Sequence, residues 1–116
     1  MMVTAQFGHR PVIQVLHVQD CPNYPQALAL VQQVRAEVGI DAELRTTLIT
    51  DQAAAEQARF LGSPTIRVNG RDIEPGAEWN LEFVHGCRLY QGEHSLRALP
   101  EDEWLRQALR NAEPQP

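Results

Sequence analysis

Val12-Ile13-Gln14-Val15-Leu16-His17-Val18-Gln19-Asp20-Cys21-Pro22-Asn23-Tyr24-Pro25 reads as a buried strand that hands over directly to a helix. Residues 12–18 are almost all apolar and mostly β-branched, the pattern of a strand covered on both faces. From about Tyr24 to Val38 the pattern changes: Ala27, Leu30, Val31, Val34 and Val38 recur at spacings of three and four, which makes one stripe of an amphipathic helix. Gly39 stands where a left-handed C-terminal cap belongs. Cys21 falls at the junction, where a helix N-terminus presents unpaired backbone N–H groups and the positive end of the helix dipole. Such a position favours thiolate, the species that attacks disulfides and binds soft metals. Asp20 beside it works in the opposite direction, because a carboxylate disfavours a second negative charge.

The rest of the chain continues the alternation. Ala42 to Ile49 alternates as a half-exposed strand, and Asp51 caps an alanine-rich helix, Gln52 to Phe60, which Gly62 is expected to end. Two strands joined through a helix predict a parallel pair with a right-handed crossover. Thr65-Ile66-Arg67-Val68 reads as a third strand, and Asn69-Gly70 as a tight reversal. Cys87-Arg88-Leu89-Tyr90 reads as the fourth. A last helix is expected from Pro100, with Glu101, Asp102 and Glu103 in its first turn and Trp104, Leu105, Ala108 and Leu109 as its buried stripe. Residues 71–86 are longer than a hairpin needs; a short helix and a lid are both open, with Trp79 expected under its own loop or over Cys21. Residues 113–116 read as a frayed tail.

Composition narrows the function. At 116 residues with 43% hydrophobic content, the chain is expected to be one folded domain, ordered over about 12–110. The net charge is −5, and all ten basic residues are arginine. That balance argues against nucleic acid and anionic membranes as partners. No run approaches the ~18 apolar residues of a membrane span, and residues 1–10 lack the pattern of a secretory leader. Two cysteines are too few to staple a secreted fold, so a reducing cytoplasm is the expected location.

The element order, with Cys21-Pro22 after the first strand and Ser63-Pro64-Thr65 before the third, resembles the thioredoxin-like superfamily over about residues 12–110. Cys21-Pro22-Asn23-Tyr24 occupies the place of the Cys-x-x-Cys redox motif. Gly62-Ser63-Pro64-Thr65 looks like the loop whose proline is cis in that superfamily and lies against the active thiol. More narrowly, Asp20-Cys21-Pro22-Asn23, the run from Gly62 to Asp72, and Cys87-Arg88-Leu89-Tyr90 look like a group of small bacterial thioredoxin-like proteins, some of them labelled alkylmercury lyase-like. The resemblance implies an α/β fold, β-α-β-α-β-β-α, with a four-stranded mixed sheet flanked by helices. It also implies thiol–disulfide chemistry, with a thiol or disulfide of a small molecule or a protein as the partner. In that superfamily the backbone beside the proline pairs with an extended substrate.

Tyr24 stands where the second redox cysteine would be, so a dithiol cycle within residues 21–24 is excluded. A one-cysteine site of this kind is similar to monothiol glutaredoxins, but the lysine and paired glycines that hold glutathione there are missing, and no cofactor is implied.

Each candidate also has a plainer reading. Cys21 is expected to be the nucleophile, against a buried cysteine acting as a small hydrophobe. Pro22 and Pro64 shape the site, Tyr24 covers the helix start, and Ser63 is either a donor to the thiolate or a turn residue. Cys87 is expected as a core or strand-end thiol on the end of the sheet away from Cys21, with a resolving role open if residues 71–86 fold back. Arg88 reads as a surface or ion-pair residue. His17 and His85 lack the close ligand pairing of a zinc site, so no metal is expected. Three functions follow. The leading one is a single-cysteine thiol–disulfide oxidoreductase. The others are a non-catalytic binding module with a partner or homodimer contact through residues 79–84, and a thiol-based handler of soft metals or organomercurials, which needs Cys21 and Cys87 to converge.

Overall fold

A computed structural model of the chain describes residues 10–112, so the readings of residues 1–9 and 113–116 lie outside the described residues. The first strand, β1 (Val12–His17), runs into helix α1 (Tyr24–Val38), then β2 (Glu43–Leu48), α2 (Gln52–Ala58) and β3 (Thr65–Val68). These elements lie within a residue or two of the expected bounds. Strands β1 and β2 are parallel, with Val12 opposite Glu43 and His17 opposite Leu48. Strand β3 returns antiparallel to β1, with Leu16 opposite Thr65.

The alternation along β1 explains the layering. Ile13 and Val15 face one side, where they join Val31 and Val34 of α1, Ile66 and Val68 of β3, and Leu105 and Leu109 of the last helix, α3 (Asp102–Ala112). Leu16 faces the other side with Ile49, Ala55 and Phe60, the cluster beneath α2. The sheet is therefore covered on both faces, α1 and α3 on one and α2 on the other. Arg106 of α3 reaches Glu37 of α1 at 3.2 Å on the rim of the first layer.

The caps follow local chemistry. The carboxylate of Asp51 accepts the Ala54 N–H at 2.8 Å, and Gly39 takes a left-handed φ of 68° with its N–H on Arg35 O. Helix α2, however, ends earlier than expected. Arg59 supplies the left-handed cap at φ 54°, and Arg67 from β3 donates to the last carbonyls, Ala58 O and Arg59 O. Gly62 serves a different purpose, since at φ 114° a Cβ there would lie 2.8 Å from Arg88 Cβ and 3.1 Å from Cys87 O. Its constraint is the close approach of another chain segment, not helix termination.

The fourth strand is not where the sequence reading put it. Asn69 and Gly70 both take positive φ, the signature of a two-residue hairpin turn. Arg71–Asp72 (β4) therefore pairs at once with Arg67 and Val68, completing a sheet of order β2-β1-β3-β4. Cys87–Tyr90 is displaced from the sheet as a result. Cys87 makes an isolated parallel bridge to Ser63, and Tyr90–Gln91 (β5) pairs instead with Leu96–Arg97 (β6) as a separate ribbon. Between β4 and this bridge, residues 73–86 form a loop with one 3₁₀ turn, Ala77–Trp79, and Trp79 is 82% exposed rather than packed beneath the loop. The Ser63–Pro64 peptide is cis. No helix of the described residues is long and apolar enough to cross a membrane.

Gly62→Ala is expected to lower stability by about 2–4 kcal/mol, because it combines an unfavourable φ with a contact against backbone that cannot swing away. The urea midpoint of the variant checks this; a shift no larger than that of an exposed surface substitution would contradict it.

Candidate functional site

The residues singled out in the sequence meet at the carboxyl end of β1. The chain leaves β1 through Val18 and turns back on itself, with the Cys21 N–H donating to Val18 O at 3.4 Å and Asp20 in the left-handed region at φ 61°. Aspartate tolerates that conformation better than most residues. Cys21 is then 8% exposed, and its own carbonyl accepts the Tyr24 N–H at 3.2 Å as α1 begins. Asn23 occupies the N-cap without a side-chain hydrogen bond to the first turn, and Pro25 lies in that turn.

Ser63 joins the two halves of the site. Its hydroxyl oxygen accepts the Val18 N–H at 3.1 Å, which ties the Cys21 turn to the loop before β3. Its backbone is also fully engaged: the Ser63 N–H donates to Gly86 O at 2.7 Å, and the Arg88 N–H donates to Ser63 O at 3.0 Å. These bonds make Ser63 the junction between the two segments. Thr65, fully buried, donates to Gly62 O at 2.6 Å. Pro64, also buried, has its carbonyl held by the Tyr90 hydroxyl. Pro22 is exposed at the mouth of the turn. Tyr24 stacks on His17, with ring centroids 3.7 Å apart and planes 11° apart, so it covers the helix start.

Cys87 departs from expectation. The fold-back of residues 71–86 brings it beside Ser63, to the same end of the sheet as Cys21, and leaves it exposed. Both cysteines are free thiols. His17 and His85 are each turned to a backbone carbonyl, Val18 O at 3.3 Å and Ile49 O at 3.1 Å. Among the described residues, no group of three or more His, Cys, Asp or Glu side chains is placed to hold a metal ion.

What sequence reasoning missed is the cluster that fixes the Cys87 segment. Arg88 is an ion-pair residue, as expected, but a buried one at 4% exposure. Its guanidinium grips Asp72 through two bonds of 2.6 and 3.1 Å, reaches Glu74 at 2.8 Å and Thr65 Oγ1 at 2.9 Å, and lies 4.1 Å from the centre of the Tyr90 ring. Burial opposes its charge, yet the hydrogen bonds to Asp72 and the neighbouring negative charges outweigh that and hold it above the ordinary arginine value. Burial pushes the Tyr90 phenol well up, against a smaller downward pull from Arg88. The one sequence signal for this cluster was Asp72 and Glu74 at alternate positions, with Arg88 and Tyr90 likewise.

A cleft of about 520 Å³ lies elsewhere, between Val68–Glu78 and α3 at the opposite end of the sheet from Cys21. None of the residues that line it is a cysteine. Comparison with protein-family models, curated proteins and solved structures finds no match to this chain.

A free phenol ionises near pH 10, while Tyr90 in the fold holds its proton to higher pH. Above about pH 10 the unfolded chain binds fewer protons than the folded one, so this contribution to stability is full below that pH and is lost as pH rises beyond it. Tyr90→Phe is expected to cost about 1–3 kcal/mol at neutral pH, because Pro64 O loses its buried donor. The two proteins should then converge in stability above about pH 10. Urea unfolding at neutral and alkaline pH measures both effects, and parallel curves would contradict the assignment.

Proposed function

We propose that this chain is a thioredoxin-like protein whose single-cysteine site performs thiol–disulfide exchange through Cys21. The observation that carries the reading is the Val18 N–H to Ser63 Oγ bond, which joins the Cys21 turn to the Ser63–Pro64 loop. The sheet order β2-β1-β3-β4, parallel on one side of β1 and antiparallel on the other, supports it, as does Cys21 at a strand-to-helix junction. In the reaction, the Cys21 thiolate attacks one sulfur of a disulfide, forms a mixed disulfide and releases the other sulfur as a thiolate; a second thiol then resolves the intermediate. Because Cys21 is almost fully buried, the partner must present its disulfide beside the exposed Pro22.

A second reading has its own support. Trp79, Leu81 and Val84 are exposed on the loop whose far end carries Cys87, with Val84 N bound to Phe60 O. Exposed apolar side chains grouped on one loop suit a protein-binding module on the same fold.

Cys21→Ser is expected to keep the fold and to bring reduction of insulin disulfides by dithiothreitol down to the uncatalysed rate. In the wild type, Cys21 should be alkylated by iodoacetamide faster than an unstructured cysteine, with mass spectrometry assigning the site. Undiminished turnover by Cys21→Ser would remove the redox reading. A Cys21 that alkylates no faster than a free cysteine would favour the binding module.

A further inference from the structure

We propose that Cys87 is the resolving thiol for Cys21, so that the chain completes its redox cycle with an internal disulfide between residues distant in sequence; this rests on the redox reading of Cys21. Cysteine is among the residues most often buried, yet Cys87 is exposed in the middle of a segment fixed on both sides. Gly86 O and the Arg88 N–H bracket it with bonds to the Ser63 backbone, the pattern of a parallel bridge. One residue further on, the Arg88 guanidinium is buried among Asp72, Glu74 and Thr65. An exposed thiol held this firmly is positioned, not incidental.

Ser63 links this position to the Cys21 turn. A bridge sets Cys87 one strand spacing, about 5 Å, from Ser63. Ser63 is bonded through its hydroxyl to Val18, and the Cys21 N–H closes a turn on that same Val18. The ends of such a turn lie within about 7 Å of each other. A disulfide needs Cα atoms within about 7 Å, so joining the two sulfurs requires local adjustment. On the far side Arg88 is held in place by Asp72. The adjustment falls on the Cys87 side chain, which is exposed, while the Gly86 and Arg88 backbone bonds to Ser63 stay in place.

The chemistry balances with a disulfide as the oxidant. Cys21 thiolate attacks R–S–S–R′, forming Cys21–S–S–R and releasing R′S⁻. Cys87 thiolate then attacks Cys21 Sγ, forming the Cys21–Cys87 disulfide and releasing RS⁻. The protein loses two electrons and two thiol protons, and the substrate disulfide becomes two thiols. An external dithiol reverses the oxidation for the next turnover.

The test treats the reduced full-length protein with one equivalent of 5,5′-dithiobis(2-nitrobenzoate), followed by intact and peptide mass spectrometry. In the wild type we expect two thionitrobenzoate anions released per protein, no retained adduct, and a Cys21–Cys87 cross-linked peptide. Cys87→Ser should release half as much and keep the adduct on Cys21. A wild-type protein that retains the Cys21 adduct, or that forms a dimer linked through Cys87, overturns this inference while leaving the redox reading of Cys21 intact. Absence of any Cys21 adduct in Cys87→Ser overturns the redox reading itself, and this inference with it.

Discussion

The structure around the candidate site depends on one buried cation. Arg88 is the only charged residue among the buried polar groups of the described chain, and every direction around its guanidinium is used: two carboxylates, a hydroxyl and an aromatic face. Taking a guanidinium out of water is costly, and the ion pairs at best offset that cost, so the cluster as a whole adds little net stability. Losing one partner is another matter, since removing half of a buried pair costs about 3–5 kcal/mol. The consequence is positional. With Arg88 seated between Asp72 and Thr65, residues 86–90 can lie in only one register against the Ser63–Pro64 loop. Gly62 belongs to the same constraint, because any side chain at that position would collide with Arg88.

That dependence explains which parts of the fold were legible in the sequence. Strand β1, helix α1, β2, α2 and β3 are each specified locally: β-branched runs, three-and-four spacing, Asp51 as a cap, Gly39 as a stop. The Asn69-Gly70 reversal was equally plain. Residues 71–91 were not, because nothing local specifies them. Their pairing is fixed by contacts between residues far apart in the chain, Arg88 to Asp72 and Glu74 to the Gln91 N–H. Once the tight turn at Asn69-Gly70 commits Arg71–Asp72 to the sheet, the place beside β3 is taken by β4 rather than by Cys87–Tyr90. A pattern reading cannot foresee that, since it scores each segment by itself.

The candidate site divides along the same line. Cys21 and Pro64 were readable because each sits next to an element boundary that sequence marks well. Tyr24 against His17 was half readable, as two aromatic rings at the end of a strand and the start of a helix. The placement of Cys87 was not, since it follows from the Ser63 bridge and the Arg88 seat. Trp79 shows the converse error: a large apolar side chain in a long loop was expected to find cover, but the loop contains a single 3₁₀ turn and offers none.

The cleft at the other end of the sheet sharpens the argument about where chemistry belongs. Its wall includes Asp72 and Glu74, which at first sight are two carboxylates facing a groove. Both are already committed to Arg88, and a carboxylate that compensates a buried guanidinium cannot be diverted to a ligand without stranding that charge. The ion pair therefore performs two tasks at once: it withdraws the acidic groups from the cleft, and it fixes the thiol-bearing segment at the opposite end. Among the described residues, Ser63 is where the Cys21 turn meets the segment that carries the exposed Cys87, and the proposed function rests on that junction.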